Sequence, residues 1–225
     1  MPAGKITALR AQAKDPQRVN VFVDGEFALG ISLTTITKTG LHVGKQLNTE
    51  EFAKLEQIES GDKAYLAALR FLEPRPRSIA EVRARLGRKD FSPEAIDAAI
   101  ARLAELDLLD DAAFARYWVE NRQASAPRGA NALRDELRRK GIDAGVTTEV
   151  LDDALTGDEA AGAWRLARGA LRKYAGSHDR NAFTRRMGSY LQRRGYTFDV
   201  IRPIVDQLWV EVSEAAEAES QADDE

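Results

Sequence analysis

Val82-Arg83-Ala84-Arg85-Leu86-Gly87-Arg88-Lys89-Asp90-Phe91, Leu133-Arg134-Asp135-Glu136-Leu137-Arg138-Arg139-Lys140-Gly141-Ile142 and Met187-Gly188-Ser189-Tyr190-Leu191-Gln192-Arg193-Arg194-Gly195-Tyr196 are three versions of one pattern. With Leu86, Leu137 and Leu191 aligned, apolar residues stand four before and five after, and a basic pair stands two and three after. The register continues to Ile96, Thr147 and Ile201, then to Ile100, Leu151 and Val205; Thr147 is the weakest member. The apolar spacing is helical. Gly141 and Gly195 suit a helix C-terminus, where the first version has Asp90. Each unit therefore reads as a helix, a basic helix, a short turn and a third helix. Units that cannot bury an apolar face alone stack into arrays.

Working outward, the expected organisation is an N-terminal β-hairpin plus helix over 1–61. Three-helix repeats follow over 62–110, 111–156 and 157–212, then an acidic, disordered tail over 213–225. Residues 17–33 read as the only clear β segment, with Val19, Val21 and Val23 facing one way and Phe27, Leu29, Ile31 and Leu33 matching them. A two-residue Asp24-Gly25 loop would pair Val21 with Ala28 and separate these sets. A three-residue Val23-Asp24-Gly25 loop, pairing Val21 with Phe27 and Val19 with Leu29, is therefore preferred. Asn48-Thr49-Glu50-Glu51 reads as a helix start ahead of Phe52, Leu55 and Ile58. The fold class is mainly α: tandem three-helix units in an array behind a small β-hairpin region.

Over 225 residues the formal charge is −3, but the charges are sorted. Residues 70–90 hold seven bases and three acids, 128–140 five and two, and 165–194 nine and one. Residues 94–111 hold six acids and one Arg, and 206–225 eight acids and no base, which leaves 1–205 at +5. A repeated basic stripe suits a polyanion or an acidic protein surface; the plain alternative is a solvated face with local ion pairs. Partner contact is favoured for 165–194, where almost nothing nearby neutralises the charge. For 128–140, with Asp135 and Glu136 among the bases, the two readings stand even. The acidic tail is read as solubilising, with folding back onto the 165–194 stripe as the competing idea. The candidate contacts are Arg83, Arg85, Arg88 and Lys89; Arg134, Arg138, Arg139 and Lys140; and Arg185, Arg186, Arg193 and Arg194. Some of these must lay their stems toward the core. Of the nearby aromatics, Tyr117, Trp118, Trp164, Tyr174, Tyr190 and Tyr196, the two Trp are expected to be core.

No catalytic set emerges. Cysteine is absent, which excludes disulfides, thiolate metal sites and a Cys nucleophile. There is no Gly-x-x-x-x-Gly-Lys loop, and His42 and His178 both read as surface residues. Asp110-Asp111 reads as a helix N-cap ahead of Phe114 rather than a metal site. The longest apolar run, 64–69, is too short for a membrane span. Met1-Pro2-Ala3-Gly4-Lys5 leads into no apolar core, so no signal peptide is expected. A non-enzymatic cytoplasmic monomer without a cofactor or metal is expected.

Several segments resemble the RecX family of bacterial regulatory proteins. Pro76-Arg77-Ser78 with Glu81, Arg83 and Leu86 is similar to the family's first-repeat signature. Leu103, Leu108-Leu109-Asp110-Asp111 and Phe114-Ala115 are similar to its central one. Pro127-Arg128-Gly129 with Leu133, Glu136-Leu137 and Lys140-Gly141-Ile142 is similar to its second-repeat signature, and 18–27 to its N-terminal region. The third repeat matches more loosely, and the tail departs from the pattern. The resemblance implies tandem three-helix, helix-turn-helix-like repeats in an elongated, curved array, in a protein that binds filaments of the RecA recombinase and limits their growth or stability, lowering strand exchange, ATP hydrolysis and SOS-type DNA-damage responses. It also implies direct DNA binding, single- or double-stranded, in some members. The competing classes are a stand-alone helix-turn-helix DNA-binding protein, an adaptor for another acidic protein, and a nuclease, which the absence of a carboxylate–His cluster disfavours.

Overall fold

The computed structural model describes residues 3–13, 15–155, 159–176 and 179–223, with side chains through 215. The chain divides into two compact units, Met1–Leu109 and Asp110–Glu225.

Unit 1 opens with a four-stranded antiparallel sheet in the order β3-β2-β1-β4. Its strands are β1 (Gly4–Gln12), β2 (Asp15–Val23), β3 (Glu26–Ser32) and β4 (Gln46–Leu47). The β region is thus larger than the single segment expected. In β1, Ile6 pairs with Val23 but Ala8 pairs with Phe22, so the ladder slips at Thr7. The next apolar residue opposite the inward set is Leu9, three beyond Ile6, a spacing that hides a strand from a period-two search.

The hairpin register also differs from expectation. The turn is the two-residue Asp24-Gly25, with φ of 49° and 90°, between paired Val23 and Glu26. Phe22 pairs with Phe27, and a bulge at Ala28 then brings Val21 opposite Leu29 and Val19 opposite Ile31. The bulge restores the facing that the longer loop was invoked to provide. Phe27 consequently lies on the outer face, 60% exposed, with its ring 6.1 Å from that of Phe22. Leu33 is exposed as well, because it begins helix α1 (Leu33–Thr39) instead of extending β3.

Helix α2 (Thr49–Leu72) starts where the sequence indicates, with Asn48 and Glu51 forming a reciprocal capping box. It runs unbroken across 61–62. Its first half packs Phe52 and Leu55 on the sheet with Ile6, Val21, Ile31 and Leu47. Its second half buries Ala64 and Ala68 against α3 (Ile79–Gly87) and α4 (Pro93–Glu105). The nearly buried Glu59 carboxylate is held by Arg18 of β2 and by Lys63, at 3.2 Å from the latter.

Unit 2 contains α5 (Asp111–Ser125), α6 (Ala130–Arg139) and α7 (Ala144–Leu155), then α8 (Glu159–Tyr174), α9 (Arg180–Gln192) and α10 (Phe198–Asp223). Asp110 caps α5 by accepting the Ala112 N–H at 2.7 Å, which is the role read from its sequence position. The acidic segment expected to be a disordered tail continues α10 to Asp223; its run of Ala and Glu favours helix.

The repeat register is a burial register. Val82, Leu133 and Met187 are fully buried, as are Leu86, Leu137 and Leu191. Ile96, Thr147 and Ile201 are buried, and so are Ile100, Leu151 and Val205; even Thr147 keeps its inward place. The three turns close identically. Asp90, Gly141 and Gly195 take φ of 60°, 78° and 89°. In each turn the following N–H (Phe91, Ile142, Tyr196) donates back to the aligned leucine carbonyl at 3.1 to 3.4 Å.

Repeats 2 and 3 lock together through backbone. Gly129 N–H donates to the Arg194 carbonyl at 2.9 Å, and Asn131 N–H to the Gly195 carbonyl at 3.1 Å. Gly129 caps α6 without a side chain, and the Glu159 carboxylate of α8 accepts the Ala130 N–H at 2.8 Å instead. Repeat 1 has Ser78 at this position, with its hydroxyl accepting from Glu81 N–H.

Candidate functional site

The second helix of each repeat (α3, α6, α9) is pinned to its core by two fully buried apolar residues four apart. The remaining positions face outward, which is where the candidate cations stand. None of the twelve is buried; Lys140 and Arg194 are half-buried and the other ten exposed.

Their surroundings differ by register. At three before the aligned leucine, Arg83 reaches across to Asp97 of α4 at 2.6 Å, and Arg134 bonds Asn131 on its own helix at 3.0 Å. Arg85 lies over the Phe71 ring at 5.6 Å. Arg138 pairs with Asp135 at 3.1 Å. At three after the leucine, Lys140 lies over the Trp118 ring at 4.6 Å and Arg194 over the Tyr190 ring at 4.0 Å, their stems laid toward the core as expected. At two after the leucine stand Arg88, Arg139 and Arg193. All three are exposed, and their guanidinium groups make no hydrogen bond or ion pair among the described residues. This register alone is cationic, exposed and uncommitted in all three repeats. Lys89, Arg185 and Arg186 are exposed and, among the described residues, unpaired in single repeats.

Charge counting along the sequence overstated the third stripe. Arg168 pairs with Glu211 at 2.8 Å and Arg180 with Asp206 at 3.0 Å, so acids of α10 neutralise bases that lie far from them in sequence. In repeat 2 the acids divide their roles. Glu136 accepts from Trp118 Nε1 at 2.8 Å and Arg122 Nε at 2.7 Å, tying α5 to α6, and leaves Arg139 untouched. This hub was missed in the sequence, where Glu136 reads as one acid among bases.

The aromatic residues belong mainly to the cores. Trp118 packs against Phe114, and Trp164, Tyr174 and Tyr190 against the third core. Tyr196 is buried, and its hydroxyl has no hydrogen-bond partner among the described residues. Burial, aided by Glu159 and opposed by Arg165, Arg194 and Arg128, pushes that hydroxyl up to about 12. It cannot stack on an external base. His42 is exposed, and its Nδ1 lies 3.1 Å from the Gly40 carbonyl oxygen; His178 lies outside the described residues. Among the described residues no group of three His, Cys, Asp or Glu could hold a metal ion, and no helix is long and apolar enough to cross a membrane.

Four segments match family models. Residues 4–48 match the regulatory protein RecX N-terminal domain, 64–103 the RecX first three-helix domain, 110–151 the second and 158–205 the third. The chain is 31% identical over 219 residues to regulatory protein RecX of Bacillus subtilis, covering 96% of this chain and 81% of that one. It superposes on a crystal structure of regulatory protein RecX with a TM-score of 0.77 at 25% identity, covering 90% of this chain and 98% of that one. The crystal structure of RecX from Lactobacillus salivarius matches with a TM-score of 0.63 at 25% identity, over 68% of this chain and 99% of that one.

Proposed function

The chain belongs to the RecX family of regulatory proteins, and from that premise we propose that it binds RecA nucleoprotein filaments and limits their growth or stability through the second helices of its repeats. The observation that carries this reading is the recurrence of Arg88, Arg139 and Arg193, which are exposed and unpaired at one register of three consecutive repeats. A single exposed arginine binds weakly, but three on one chain act together, because each contact raises the effective concentration of the next. A filament offers the matching repetition: identical subunits and a polyanionic strand at regular intervals. The protein acts as a non-catalytic monomer in the cytoplasm, lowering strand exchange, ATP hydrolysis and SOS-type signalling by its partner. Direct DNA contact by the same arginines contributes through phosphate neutralisation.

The test is the DNA-dependent ATPase of RecA with substoichiometric amounts of the chain. Inhibition well below one-to-one is expected. The variant Arg88→Glu/Arg139→Glu/Arg193→Glu should need at least about tenfold more protein, a loss of 1.4 kcal/mol or more in binding. Reversing Arg134 and Arg138, which are committed within their own helix, should have a much smaller effect. Full inhibition by the triple variant would refute the proposed contacts. Site-specific duplex binding with no effect on RecA would instead establish a stand-alone DNA-binding protein.

A further inference from the structure

Repeat 3 departs from repeat 1 at a place the register makes comparable. In repeat 1, Arg83 and Asp97 form a latch across α3 and α4. The corresponding residues of repeat 3 are Gly188 and Arg202, so the side chain that would cross is absent and its counter-ion is reversed in sign. The space left is a groove of about 380 Å³ between α9 and the start of α10, within the range of clefts that hold ligands. Ile201 and Val205 line it, and Phe198 stands at its side, 70% exposed. Repeats 1 and 2 have Pro93 and Ala144 where repeat 3 has Phe198. Two cations border the groove: Arg185, exposed and unpaired among the described residues, and Arg202, 72% exposed and only 3.9 Å from Asp206. Asp206 also lines the groove, and its carboxylate is held by Arg180 at 3.0 Å, which leaves the two arginines in excess there.

We propose that this groove docks a short acidic segment of a protein partner, with one apolar side chain entering beside Phe198 while flanking carboxylates meet Arg185 and Arg202. The chemistry selects that occupant. An apolar lining rewards the burial of a side chain at about 25 cal/mol per Å², whereas a phosphate backbone would meet the two arginines and leave the lining unused. Charge steers the approach, and the apolar insertion sets which segment stays. Of the twelve candidate contacts only Arg185 belongs to this groove, so the inference stands apart from the arginine register of the proposed function.

Amide NMR of the full ¹⁵N-labelled chain tests it, with the blocked peptide acetyl-Asp-Glu-Phe-Glu-Asp-amide as probe. Its counterpart with Gly for Phe, and a twelve-residue oligothymidine, serve as comparisons. The Phe peptide is expected to shift the amides of Gly188, Ser189, Ile201 and Arg202, and the Gly peptide to bind at least about fivefold more weakly. Gly188→Arg/Arg202→Asp rebuilds the latch of repeat 1, and a Cβ on Gly188 meets Ile201 Cγ2 at an ordinary 3.8 Å. That variant should bind at least about tenfold more weakly with its melting temperature maintained. Phe198→Ser, at an exposed position, should weaken binding similarly and covers the case in which the double variant misfolds. The inference is overturned if the Phe peptide causes no local shifts, if the Gly peptide or the oligothymidine shifts the same amides equally, or if Phe198→Ser binds undiminished.

Discussion

Replacing Gly129 with alanine adds one methyl group where the backbone of the next repeat's turn lies against it. The φ of −76° and ψ of 165° at Gly129 suit any residue, so the substitution strains nothing locally. The added carbon would instead lie 2.4 Å from Tyr196 N and 2.5 Å from the carbonyl carbon and oxygen of Gly195. These are backbone atoms of a closed turn and cannot rotate away. Contact distance is about 3.5 Å, so the seam between repeats 2 and 3 must open by about 1 Å. The hydrogen bonds from Gly129 to Arg194 and from Asn131 to Gly195 then stretch beyond useful length, at about 1 kcal/mol each. Packing against the buried Tyr196 ring is lost as well, and the sum is about 3 to 4 kcal/mol. The assay is urea denaturation followed by tryptophan fluorescence. All three tryptophans, Trp118, Trp164 and Trp209, lie in unit 2, so the signal reports that unit alone. Gly169→Ala is the internal control, because this helical glycine has nothing within 4 Å of its added carbon and should gain about 1 kcal/mol. A Gly129→Ala loss below about 1 kcal/mol would refute the backbone-seam argument.

Two further predictions concern single positions. Asp90 holds a left-handed conformation that its counterparts assign to glycine; Asp90→Gly should stabilise unit 1 by up to about 1 kcal/mol, read as slower hydrogen exchange in α3 and α4, and unchanged or faster exchange would count against it. The Tyr196 hydroxyl titrates at about 12 in the folded chain against an ordinary 10.0. Between those values the folded state keeps a proton the unfolded chain has lost, so stability is unaffected by this ionisation below pH 10 and falls as pH rises to about 12. Tyr196→Phe should remove that alkaline loss and raise neutral-pH stability by about 1 kcal/mol, since the hydroxyl is buried without a partner; an unaltered alkaline slope in melting experiments would contradict it.

The repeat architecture was legible because helical periodicity and burial are the same information: Leu86, Leu137 and Leu191 are all inside, as are the residues four before, ten after and fourteen after them, and only Phe91 of the remaining apolar column is partly exposed. Thr147 shows the limit of reading by residue type, since a threonine can fill an apolar place when position dictates it. The sheet was less legible, because bulges at Thr7 and Ala28 each insert one residue and reverse the alternation on which strand reading depends. Charge was legible in sign and misjudged in availability. Asp206 and Glu211 lie 26 and 43 residues from the arginines they pair with, and no local count joins them. In the sequence Gly195 reads as a helix C-terminus, and Gly129 stands only within a family signature. That each also makes room for the other's backbone is a tertiary fact.

The caps also set how many units this chain can join. Gly129 admits the turn of a following unit because it has no side chain, and it borrows Glu159 to terminate its helix. In repeat 3 the aligned position is the fully buried Phe183, because α9 begins a turn earlier, where Asp179 caps it with its own carboxylate, accepting from Asn181 and Ala182 N–H at 3.1 Å each. A tandem copy of the last repeat, grafted after it, would meet the first turn of α9 and Phe183 where the seam requires bare backbone. Such a chimera would carry a tethered bead rather than a fourth rung. Extension by duplication would require an α9 that begins at a glycine in place of Phe183; the copied Glu159 already supplies the acid.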